Sequence, residues 1–94
     1  MRELEKGMFA RSLAGHDKGR LYIVLEADGK SVLLTDGRYR PVENPKRKNR
    51  SHIQPDYEDS GVFAPGMTEC AAEKNSAVRK AIRAKEDKAC QKQM

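Results

Sequence analysis

Ninety-four residues make one small domain, and 37% hydrophobic content with no Trp, three Tyr and two Phe argues against an enclosed catalytic pocket. No stretch approaches the ~18 consecutive apolar residues of a membrane span, and the charged opening MRELEKG lacks the apolar core of a secretion signal. A cytoplasmic chain with Cys70 and Cys90 as reduced thiols is therefore expected, carrying a net charge of +5 from 19 Lys and Arg against 14 Asp and Glu.

The predicted elements follow in chain order. Met8 to Ala14 holds no Pro or Gly and reads as a strand ended by Gly15. RLYIVLE (20–26) is the strongest strand signal, and its centre is apolar on both faces, as in a strand buried inside a small barrel. Asp28-Gly29 predicts a type I′ hairpin turn into the strand SVLLT at 31–35. Asp36-Gly37 predicts a second hairpin into RYRPVE, where Pro41 makes the strand an edge or ends it. Asn44-Pro45 then leaves PKRKNR as an extended basic loop, and a last short strand near Ser51 to Ile53 closes the sheet. Residues 55–69, with two prolines, two glycines, four acids and no base, read as an extended or mobile connection. A helix is predicted from about Ser76 to Ala89, with Asn75 or Ser76 as N-cap. Its stripe of Ala77, Val78, Ala81 and Ile82 is enough to dock weakly and too thin to form a core alone. The expected architecture is mostly β: an antiparallel barrel of four or five strands over 1–54, the acidic connection at 55–69, and a basic helical tail at 70–94.

The charge is uneven. Arg38 to His52 carries six bases (Arg38, Arg40, Lys46, Arg47, Lys48, Arg50) against Glu43 alone. A concentrated basic block is the electrostatic footprint of a polyanion-binding surface.

At Gly15-His16-Asp17-Lys18-Gly19-Arg20, a strand, a G-x-D-K-G turn and an apolar strand follow one another. This resembles the KOW motif, which occurs within SH3-like barrels of ribosomal proteins and transcription elongation factors. The stretch ADGKSVLLTDGRYRPVENPKRKNRSHI is similar to small bacterial KOW-domain RNA-binding proteins, themselves similar to large-subunit ribosomal proteins of archaea and eukaryotes. The likeness covers roughly residues 6–53, with a weaker echo at 75–85. It implies an SH3-like barrel and a non-catalytic function in translation. The implied partner is RNA, ribosomal or otherwise structured, with ribosomal proteins as further neighbours. No cofactor, metal, membrane or small-molecule substrate is implied.

The residues have readings of their own. Gly15 and Gly19 flank a tight turn, as Gly29 and Gly37 do further on, and Asp17 can fix the first turn through backbone N–H groups. Lys18 and Arg20 project from it toward phosphate. His16 is either a base or phosphate contact or an ordinary exposed turn residue. In the second cluster, Arg38, Arg40, Arg47 and Arg50 offer bidentate forks, and Lys46 and Lys48 point charges. Asn49 offers a base-edge or 2′-OH contact, and His52 stacking or charge. Tyr39, the one aromatic among the bases, is either a stacking platform or a barrel core residue. Arg11, on the strand before the turn, completes the RNA-binding set. This reading requires the 15–20 turn and the 46–50 segment to lie side by side.

Catalytic signatures are missing. No Cys/His pair has zinc spacing, no phosphate-binding glycine loop is present, and no nucleophile has an oriented base. The alternative to RNA binding is a protein-interaction adaptor of the translation or transcription machinery, its basic face meeting an acidic partner.

Overall fold

The computed structural model describes residues 4–63 and 70–92. Five strands and one helix follow in order: β1 (Met8–Ser12), β2 (Leu21–Ala27), β3 (Ser31–Thr35), β4 (Lys46–Asn49), β5 (Ile53–Asp59) and α1 (Ala71–Lys92). A single 3-10 turn, Arg50–His52, joins β4 to β5. The strands form one antiparallel sheet in the order β4-β3-β2-β1-β5.

That order forces curvature. Laid flat, the two edge strands would stand about 19 Å apart, four interstrand spacings of ~4.8 Å. The 3-10 turn linking them covers only about 8 Å at ~2 Å per residue. The sheet must curl back on itself, which matches a mostly β fold consistent with a small SH3-like barrel plus a C-terminal helix. Backbone bonds pin the corner: Leu13 N–H donates to His52 C=O, and Arg50 N–H to Lys30 C=O.

β2 is apolar on both faces because both faces are covered. Tyr22 and Val24 point into the curl with Ala10, Val32, Leu34 and Ile53. Leu21 and Ile23 point outward and pack with Phe9, Val62 and Val78 of α1. The helix is thus an integral layer. Val78 is fully buried, a contribution of roughly 1.5–3 kcal/mol for a side chain of this kind. Lys85 ties the next turns to β5: its ammonium contacts the carboxylates of Asp56 (2.8 Å) and Glu58 and lies 5.2 Å from the centre of the Phe9 ring. Those two acids hold its pKa above the ordinary lysine value, Asp56 more than Glu58.

Several expectations need correction. The first strand stops at Ser12, and Leu13 is 45% exposed. RYRPVE is not a strand. Asp36 accepts hydrogen bonds from Arg38 N–H and Arg40 N–H, and Thr35 Oγ1 donates to Arg40 C=O. Side chains thus take the bonds a sheet ladder would make. The basic loop is the strand β4, registered on β3 from Ser31↔Asn49 to Leu34↔Lys46. The segment 51–53 is mostly the 3-10 turn, and β5 runs to Asp59, well into the stretch read as a connection. Pro55 is accommodated because β5 is an edge strand. Residues 64–69 of that connection lie outside the described residues, as do 93–94 of the tail. Gly29 has no positive φ; the Asp28 carboxylate builds its turn by accepting from Lys30 N–H and Ser31 N–H. The helix starts at Ala71 rather than Ser76, so Asn75 is no cap. It is buried inside the helix, where Oδ1 accepts from Val42 N–H and Nδ2 donates to Glu43.

Candidate nucleic-acid interface

The turn between β1 and β2 is organised around Asp17. Gly15 and Gly19 take φ values of +86° and +87°, a region that costs an L-residue about 1–2 kcal/mol. No atom lies within 4 Å of a Cβ built on Gly19, so backbone conformation rather than space calls for glycine there. The reversal turns the Asp17 side chain inward, leaving it 6% exposed. Its carboxylate accepts hydrogen bonds from Ser12 Oγ (2.9 Å) and Tyr22 Oη (3.0 Å). Lys48 Nζ lies at 2.8 Å and Lys46 Nζ at 2.9 Å. Burial works to raise the Asp17 pKa, but the bonds from Lys48, Lys46, Ser12 and Tyr22 prevail and hold it well below the ordinary 3.8. Burial, and next the bond to Asp17, push the Tyr22 hydroxyl up to about 12.

The turn and the 46–50 segment are therefore neighbours, and the way they meet redistributes the basic block. On β4, alternate side chains face opposite ways. Lys46 and Lys48 reach Asp17, and Lys48, only 10% exposed, also donates to Ala14 C=O. These two cations hold the turn against the sheet. Lys48 in particular is not a free point charge for phosphate. Arg47 and Asn49 are exposed on the other side, Arg47 beside Glu26 and Asp28. Arg50 and Asn49 line a shallow depression with Lys30 and Ser51. His52 is exposed in the 3-10 turn. The basic block is thus dispersed: Lys46 and Lys48 turn to Asp17, Arg47 lies beside Glu26 and Asp28, and Arg50 beside Lys30 and Ser51.

A different set of bases converges. Arg20, leaving the turn, places its guanidinium 5.3 Å from the centre of the Tyr39 ring. Tyr39 is 69% exposed, so it is not a core residue. The two line an open groove of about 570 Å³ with Arg38, Arg79, Lys80 and Arg83. Leu21 and Ile82 supply apolar surface, and Asp36 and Glu86 the acids. Asp36 is largely occupied, accepting from Arg38 N–H and Arg40 N–H with Arg20 at 3.9 Å. The geometry depends on Gly37. At φ +74° it lies so close to α1 that a Cβ there would stand 2.4 Å from Asn75 C=O. Arg79 Nη1 donates to Gly37 C=O and closes the contact.

Of the remaining predicted residues, His16 and Lys18 are exposed on the turn. Arg11 donates from Nη1 to Gly19 C=O and braces the turn from below (2.6 Å). Arg40 is half-buried and contributes its carbonyl to the 36–40 turn. Sequence reasoning missed Arg79, Lys80 and Arg83 as site residues. Their spacing of i, i+1 and i+4 places them on one helix face. That signal is legible, but the groove opposite it is not.

Among the described residues no group of three or more His, Cys, Asp or Glu side chains is placed to hold a metal ion. No helix among them is long and apolar enough to cross a membrane. In comparison with known proteins, no family model and no curated sequence matches the chain.

Proposed function

We propose that this protein is a non-catalytic RNA-binding module of the KOW type. It contacts structured RNA, ribosomal RNA foremost, along the face running from the 15–20 turn to the groove at Tyr39. One observation carries the reading. Arg20 emerges from a turn braced by Asp17 and, within the same groove, joins Arg38, Arg79, Lys80 and Arg83 around an exposed tyrosine. Five bases face two acids there, and one acid already serves its own turn. Net positive charge on a concave, rigid surface suits a phosphate backbone, read mainly by shape as in folded RNA. The second contact therefore moves from the 46–52 segment to residues 38–39 and α1, because Lys46 and Lys48 are drawn onto Asp17.

The test is a salt titration of binding to a structured RNA. Neutralising about five phosphates gives a log–log slope of roughly −3.5 to −4.5. A flat slope, or no binding at low salt, overturns the proposal. Protein partners that persist after nuclease treatment would favour an adaptor instead.

A further inference from the structure

The groove contains more than phosphate tracking requires. A backbone-binding surface needs cations, and the exposed turn with Lys18 already supplies one. Between the 36–40 turn and α1, however, the bases surround apolar surface from Leu21, Ile82 and the Tyr39 ring. The guanidinium of Arg20 covers one face of that ring. With 69% of the residue exposed, much of the ring remains open to a ligand. Asp36 orients the loop that carries the ring, since its carboxylate accepts from both Arg38 N–H and Arg40 N–H. The platform is thus set before any ligand arrives, which lowers the ordering cost of binding. The cavity, about 570 Å³, falls within the ~300–1,000 Å³ of ordinary ligand clefts.

We infer that this groove seats one unpaired nucleotide of the bound RNA. Its base stacks on the exposed ring of Tyr39, and its flanking phosphates meet Arg38, Lys80 and Arg83. The inference rests on the RNA-binding reading and narrows it. A base inside a duplex has neighbours on both faces and cannot stack on a side chain. Only a bulged, looped or terminal base can. The module would therefore discriminate by RNA secondary structure rather than by sequence, because every base offers a π-face.

The experiment compares two RNA hairpins at low salt. They are identical except that one carries a single bulged 2-aminopurine. The wild-type protein should bind the bulged hairpin about five- to hundredfold more tightly, the range of one stacked base, and should quench the 2-aminopurine fluorescence. Tyr39→Phe should keep both effects. Tyr39→Ala should remove the quenching and bring the affinity for the bulged hairpin down to that for the paired one. An unchanged melting temperature would show that the exposed ring was not structural. Equal binding of the two hairpins by the wild type overturns the inference but leaves the RNA-binding reading standing. An equal loss on both hairpins in Tyr39→Ala does the same. Failure of both hairpins to bind at low salt overturns both.

Discussion

Two regions of this molecule hold clusters of opposite character. Around Asp17, two lysines, a tyrosine and a serine surround a buried carboxylate, and both cations are engaged within the protein. Around Tyr39, five bases line an open groove with two acids, and much of the charge is unmatched. The residue types are similar and the segments interleave in the sequence: Lys46 and Lys48 belong to the first region, Arg38 and Tyr39 to the second. A cation's role here follows from whether the fold supplies its counter-charge. Lys48, paired and buried, is architecture; Lys80 and Arg83, exposed on a helix face, are available to a ligand.

The strongest way to break that contrast is at its buried end. Asp17→Ala removes the common acceptor and leaves Lys48 buried without a counter-charge. Loss of one partner of a buried pair costs about 3–5 kcal/mol. For a domain of this size that lowers the melting temperature by roughly 12 °C or more, read by thermal denaturation. Lys48→Met keeps the apolar stem and leaves Asp17 with Lys46, Ser12 and Tyr22. The expected cost is about 2 kcal/mol, from one lost charge-assisted bond in a buried site. Arg47→Ala, one residue away on the exposed face, should stay within about 0.5 kcal/mol. The combined replacement of Lys46, Arg47, Lys48 and Arg50 by Ala should therefore destabilise the fold, and weaker RNA binding by that variant would not by itself locate the interface. Equal melting points for the Lys48 and Arg47 variants would erase the distinction between the regions.

The joint between the regions is next. Gly37→Ala puts a methyl group where Asn75 C=O lies 2.4 Å away, at a φ of +74°. The helix must shift, at a cost of about 2 kcal/mol from left-handed strain and lost packing. Because α1 forms one wall of the groove, RNA affinity should fall along with thermal stability.

Titration sharpens the same contrast. Asp17 is depressed in the fold, so the unfolded chain takes up its proton first as the pH falls. Its stabilisation is complete above the ordinary carboxylate range and drains away from about pH 5 downward. Tyr22 is raised from 10.0 to about 12. Its contribution is complete below pH 10 and is lost as the pH climbs from there to about 12, because the unfolded chain ionises first. Chemical denaturation across the pH range should show both limbs. In Asp17→Asn the acid limb should shrink, and with the charge gone the folded Tyr22 pKa should fall toward 10, so the alkaline limb should shrink too and end at a lower pH.

The smallest effect on stability belongs to the open end. Lys80→Gln with Arg83→Gln should leave the melting temperature within about 1 °C, because both residues are exposed and form no ion pair among the described residues. The salt slope of RNA binding should lessen by about 1.4 to 1.8, one phosphate for each base removed. A large drop in melting temperature would instead make these bases structural, like those at Asp17.

The sequence by itself determined the sheet's centre. RLYIVLE and SVLLT are strands because β-branched and aromatic residues between Gly-containing turns favour a pleated, buried surface. The apolar double face of the first already implied cover on both sides. It also marked the 15–20 reversal, since Gly15 and Gly19 are local conformational requirements. It did not reveal that KRKN is a strand. Lysine is a poor strand former, and what makes Lys46 and Lys48 fit is an acid 29 and 31 positions earlier. Nor did it show that RYRPVE is a turn, because Asp36 and Thr35 satisfy that backbone only once the chain has folded over them. The tertiary structure alone decided which bases remain uncompensated. Neutralisation is a long-range property: it depends on which carboxylate the fold brings within about 3 Å, and charge counted along the chain carries no information about that distance.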